Sequence, residues 1–167
     1  YLASRELAKP ESRPLPSNYQ DFNGIYRICE GGFHINPELR PSDSVNVYED
    51  FYDNTSGNVR TLSLRFLSET TLEVVLDGNC RLEVRLDGKI VPVRTKCALP
   101  TYYLTFSNGW FENENTLEIM TRYFQTCFTT WLRFVKTSSG FSIRARKNSL
   151  HDQQPYFDSF ATFERVL

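Results

Sequence analysis

The chain has 167 residues, 40% of them hydrophobic and 14% aromatic, which suits one globular domain with a sizeable core. The 19 basic and 20 acidic side chains leave a formal net charge of −1, so there is no electrostatic reason to expect a nucleic-acid partner. No apolar run approaches the roughly 18 residues that a membrane-spanning helix needs, and no transmembrane span is expected.

Residues 1–20 contain Pro10, Pro14 and Pro16 and little apolar periodicity. They read as a flexible polar arm or tether ahead of a domain over 21–167. The stretch has no signal-peptide pattern, so it fits a processed chain. A lipid-modified cysteine, if there is one, lies upstream of residue 1.

From Gly24 the chain alternates, with Ile25, Arg27 and Cys29 on one side and Tyr26 and Ile28 on the other. Gly31-Gly32 interrupts this strand. Residues 33–43, with Pro37 and Pro41, read as a loop, and 44–52 as a strand. Asp53-Asn54-Thr55-Ser56-Gly57 is a turn cluster that includes a glycosylation sequon at Asn54. Strict alternation then marks strands at 61–66, 71–74 and 81–86. Leu72-Glu73-Val74-Val75-Leu76-Asp77-Gly78 is nearly repeated at Leu82-Glu83-Val84-Arg85-Leu86-Asp87-Gly88, and Asp-Gly between alternating runs signals a hairpin.

Facing residues of an antiparallel pair share a side, which tests the register. A three-residue loop at Asp77-Gly78-Asn79 sets Leu76 against Cys80, Val74 against Leu82 and Leu72 against Val84, all apolar. A two-residue loop at Gly88-Lys89 sets Val84 against Val93, Leu82 against Thr95 and Cys80 against Cys97. That second register predicts a Cys80–Cys97 disulfide and leaves Cys29 for Cys127. Pro92 opposite Arg85 is its weak point, since proline cannot donate to a ladder. Two disulfides point to a periplasmic, outer-membrane-tethered or secreted protein. With no CxxC pair, and only His34 and His151 to add imidazoles, no metal site and no cofactor are expected.

Further strands are expected at 102–106, 116–124, 129–135, 141–146 and 160–166. An Asn-Gly turn is expected at Ser107-Asn108-Gly109-Trp110, and loops at 107–115 and 148–158. No segment sustains a helical period. The fold class is therefore all-β. About 8–10 short strands joined by tight turns make an antiparallel meander, which hides its edges by closing into a barrel. A two-sheet sandwich is the alternative.

A Gly-x-aromatic opening at Asn23-Gly24-Ile25-Tyr26, a meander, and a late arginine in Phe163-Glu164-Arg165-Val166 resemble the lipocalin-like (calycin) barrels. The family has tryptophan where this chain has Tyr26, and its late arginine packs over that aromatic. The stretch from Asn108-Gly109-Trp110 through Thr116-Leu117-Glu118 to Phe134 is similar to lipocalin-like domains of bacterial envelope proteins. The resemblance implies a barrel that holds a small hydrophobic ligand or lipid. Leu64, Phe66, Val74, Val84, Phe106, Trp110 and Ile119 would line the pocket.

Catalytic patterns are missing: there is no G-x-S-x-G, no H-E-x-x-H and no phosphate-cradling loop. His34 stands alone, and no serine is placed to complete a triad with His151-Asp152. Glu112, Glu114 and Asp50 are acids near turns, where solvation is the ordinary role. The stretch 49–53 lacks EF-hand spacing. Arg144, Arg146 and Lys147 form a small basic run on a strand face. No enzyme is expected. The favoured function is non-catalytic binding of a small apolar or amphipathic ligand in the barrel. The alternative is a protein-interaction module, such as an inhibitor, an immunity protein or an envelope assembly lipoprotein, with a filled barrel.

Overall fold

Alternating segments become strands wherever the structure describes them. A computed structural model describes residues 12–32, 59–78, 80–95, 103–124, 129–148 and 156–167. The strand expected at 44–52, the loop at 33–43 and the sequon at Asn54 lie outside these residues. A 3₁₀ turn at Tyr19–Phe22 precedes the sheet. The strands are β1 (Gly24–Gly32), β2 (Thr61–Phe66), β3 (Thr71–Leu76), β4 (Cys80–Arg85) and β5 (Val93–Thr95), then β6 (Tyr103–Asn113), β7 (Thr116–Tyr123), β8 (Thr129–Lys136), β9 (Gly140–Asn148) and β10 (Tyr156–Arg165).

The sheet runs β4-β3-β2-β1-β10-β9-β8-β7-β6-β5, and a further β4–β6 pairing closes nine of these strands into a barrel. Closure leaves β5 as a short flap on β6. Every neighbouring pair around the ring is antiparallel except the closing one, which is parallel. The meander is thus sealed by a mixed seam rather than an antiparallel one.

The β3–β4 hairpin has the register that apolar matching predicts: Leu72↔Val84, Val74↔Leu82 and Leu76↔Cys80. Asp77 and Gly78 take positive φ in its turn (49° and 72°). The Asp77 carboxylate also accepts hydrogen bonds from the Arg60 and Thr61 amides at 2.8 and 2.9 Å, which ties the turn to β2.

The second predicted hairpin does not form. Instead of facing Val93, Val84 pairs with Ser107 of β6, and β5 pairs with β6 through Val93↔Thr105 and Thr95↔Tyr103. Apolar matching alone is satisfied by a local partner, whereas barrel closure requires a distant one. The seam is narrow, with only Val84↔Ser107 and Arg85↔Asn108 in register.

The expected Asn-Gly turn is likewise absent, because Asn108 and Gly109 lie inside β6. The glycine serves closure here. A Cβ on Gly109 would sit 2.9 Å from Val84 Cγ1 and 3.2 Å from Leu86 Cδ2, so the missing side chain makes room for the incoming strand. The true β6–β7 turn lies at Glu114-Asn115. The last strand also starts earlier than expected, at Tyr156 rather than Phe160.

The described part of the arm, residues 12–20, lies against the barrel. Leu15 and Tyr19 pack against the core, and Arg13 pairs with Glu112 at 3.1 Å. Among the described residues no two cysteines lie at disulfide distance, and Cys29 is an exposed free thiol, so the expected Cys29–Cys127 bridge is not formed. The strand carrying Cys29 turns that side outward, away from any interior partner. Cys80 is buried and disulfide-bonded, while Cys97 and Cys127 lie outside the described residues.

Candidate functional site: the barrel interior

One end of the barrel is closed by aromatic packing. The 3₁₀ turn drives Phe22 into that end, where it is fully buried. Its ring stacks on Phe141 at 5.2 Å and meets Phe111 edge-on at 5.4 Å. Tyr26 lies against Phe141 at 4.3 Å, and Tyr19 meets Phe66 edge-on at 4.9 Å. The Tyr26 hydroxyl donates to the Phe22 carbonyl at 2.9 Å, joining turn and strand. Burial raises the Tyr26 pKa, and the nearby Arg165 charge opposes that rise.

Arg165 is the latch of this end. Its guanidinium lies over the Tyr26 ring at 5.6 Å and donates to the carbonyls of Asp21 and Asn23. The expected stacking of the late arginine on the first-strand aromatic is present. A Cβ on Gly24 would fall 2.7 Å from Arg165 Nε, so glycine at that position admits the guanidinium. Lys136 completes the cap, 4.6 Å above the Phe22 ring and 3.4 Å from the Asp21 carboxylate.

The opposite end has a different lining. Strand register there places Ser107, Thr121 and Thr130 side by side on the inner face of β6, β7 and β8. All three are buried, and the Ser107 and Thr121 hydroxyls are 2.7 Å apart. The Thr105 hydroxyl lies 2.8 Å from that of Thr95. Across the barrel, Leu62, Leu76 and Cys80 share one register row and are buried. One wall is therefore hydroxylic and the facing wall aliphatic. Deeper in, the row Gly109, Ile119, Leu132 and Ala145 is apolar and small at both ends. The strand ends that flank 33–58, 96–102, 125–128 and 149–155 all lie at this end of the sheet.

Of the residues expected to line a pocket, Leu64, Val74, Val84 and Ile119 are inside and belong to the core. Phe66 is also inside but sits at the plugged end, against Tyr19 and Phe111. Phe106 and Trp110 do not face the interior. Gly109 and Phe111 take the inner side of β6, which puts 106, 108 and 110 on the outer side. There Phe106 packs on Phe124 at 5.4 Å, and the Trp110 indole N–H donates to Glu112 at 3.0 Å.

Sequence reasoning misses the hydroxyl row because it assigns the larger apolar side chains to the inside of β6. Positions 105–109 are all buried, so alternation gives no contrast there. The Thr105-x-Ser107-x-Gly109 spacing, matched by Thr121 and Thr130, is the signal that could have found it. Asn108 is missed as well. Its amide nitrogen donates to the Lys89 carbonyl at 3.0 Å, while its buried Oδ1 accepts no hydrogen bond.

Of the acids weighed for chemistry, Glu112 and Glu114 border one groove between residues 13–16 and the β6–β7 turn. Glu112 is tied to Trp110 and Arg13, whose hydrogen bonds hold its carboxyl below the usual range. His34, Asp50 and His151 lie outside the described residues. No cluster of His, Cys, Asp or Glu able to hold a metal occurs among the described residues, and no described helix is long and apolar enough to cross a membrane. Comparison with protein-family models and with curated protein sequences finds no match.

Proposed function

We propose that the chain is a non-catalytic, lipocalin-like binding protein of an oxidising compartment, secreted or envelope-tethered, that takes a small amphipathic ligand through the barrel end opposite the aromatic plug. The observation that carries this reading is the two-sided lining of that end. A ligand with an apolar body and one polar group meets the aliphatic wall of Leu62 and Leu76 and the hydroxyls of Ser107, Thr121 and Thr130. In a hydroxyl–hydroxyl pair one group donates and the other keeps a free proton, so such a row can donate to a ligand oxygen. The Arg165–Tyr26 latch and the buried, bonded Cys80 support the lipocalin-like and oxidising parts of the reading.

Titration with dansylated undecanoic acid tests it. The unmodified protein is expected to enhance dansyl emission and shift it to the blue. Thr121→Leu, which removes a hydroxyl and fills space, is expected to weaken uptake at least tenfold while the melting temperature stays within a few degrees. A protein that takes up none of this probe, or a Thr121→Leu variant that binds it equally well, overturns the proposal.

A further inference from the structure

The outer face of β6–β10 combines cations and large aromatics in a way the rest of the described outer surface does not. Register sets Trp110, Glu118, Arg133, Arg144 and Phe160 in one row across these five strands. The next row is Asn108, Met120, Trp131, Arg146 and Asp158. Both tryptophans of the chain thus share one sheet face. Arg133 and Arg144 are exposed, Phe160 is 55% exposed, and both tryptophans are half-buried. Glu118 lies 3.2 Å from Arg133, and with Arg144 the charged side chains of this row carry a formal net charge of +1.

The outer face of β2–β4 is built otherwise. There Glu73 holds Arg65 and Arg81 at 2.8 and 2.6 Å, and the neighbouring outward positions are Ser63, Thr71 and Val75 rather than aromatics. Arginine binds phosphate oxygens bidentately, and indole rings settle at the level of lipid headgroups.

We propose that the outer face of β6–β10 docks on an anionic phospholipid surface, with Arg133 and Arg144 on the phosphates and Trp131 and Phe160 at the headgroup boundary. This surface is independent of the barrel interior, so either proposal can fail alone. The attraction of basic groups to such a surface is screened by salt.

Vesicles of dioleoylphosphatidylcholine with and without dioleoylphosphatidylglycerol test the idea. Because both tryptophans are on the face, intrinsic emission reports docking directly. Binding is expected only with phosphatidylglycerol, with a blue shift of tryptophan emission and loss at high salt. Arg144→Glu is expected to weaken binding roughly tenfold or more. Arg60→Glu, an exposed cation just ahead of β2 and away from this face, is expected to change it less than twofold. Arg144→Gln serves if the charge reversal disturbs folding. The proposal is overturned by equal binding to neutral vesicles, by binding without an emission shift, or by Arg60→Glu losing as much as Arg144→Glu. It is also overturned if soluble polyglutamate binds as tightly as the vesicles, which would mark an acidic protein as the partner.

Discussion

Two glycines, Gly78 and Gly109, separate backbone strain from crowding. Gly78 has φ 72° and nothing within 4 Å of where a Cβ would stand, so Gly78→Ala meets only the backbone penalty of about 1 kcal/mol. Gly109 lies at the barrel seam with Val84 and Leu86 beside it, so Gly109→Ala must push the closing strand outward at about 1–3 kcal/mol. Urea denaturation is expected to show Gly109→Ala as the more damaging of the two. Asp87 supplies a pH dependence. The Arg85 guanidinium holds its carboxyl below the ordinary value, with the Lys89 amide assisting. The folded state therefore binds this proton less readily than the unfolded chain. The resulting stability is present above the unfolded pKa of about 3.9 and is lost as pH falls through the lower folded value. Replacing it by Asn should flatten the acid limb of stability against pH by no more than about 1 kcal/mol, since the pair is partly solvated.

The elements divide by how local their determinants are. The β3–β4 hairpin is specified within about fourteen residues by apolar matching and an Asp-Gly turn, and its register is legible in the sequence. The β4–β6 seam joins segments separated by β5, and no local pattern marks it. The 3₁₀ turn depends on the barrel even more. Four residues have little helical stability of their own, and Phe22 holds them by stacking on Phe141 and meeting Phe111. Phe22→Ala should open this end and cost about 3–5 kcal/mol, measured by chemical denaturation. Lys136 then loses its aromatic partner, so Lys136→Met should cost less in the Phe22→Ala background than in the unmodified protein.

For the molecule as a whole, the interior is graded from an aromatic plug, through a small apolar row, to a hydroxyl row. This gradient makes one end a structural cap and the other a candidate mouth. The thiols offer a check on the whole chain in its native state. Iodoacetamide without reductant is expected to label Cys29 and leave Cys80 unmodified, as peptide mapping would show. Labelled Cys80 in the folded protein would remove the argument for an oxidising compartment.

By itself the sequence determined the all-β class, most strand positions and the first hairpin's register, whereas the stacking of Arg165 on Tyr26 was implied only by the family resemblance. The first three follow from period-two alternation or turn chemistry, which act over neighbouring residues or one face. Only the tertiary structure decided which strand closes the barrel, which side of β6 faces inward, and that Cys29 stays free. Alternation identifies a buried face only when the other face is solvated. In β6 both faces are covered between 105 and 109, so size alone sends Phe106 and Trp110 inward and leaves the hydroxyl of Ser107 outside. Barrel closure reverses that choice, because Gly109 and Phe111 have to meet the facing wall.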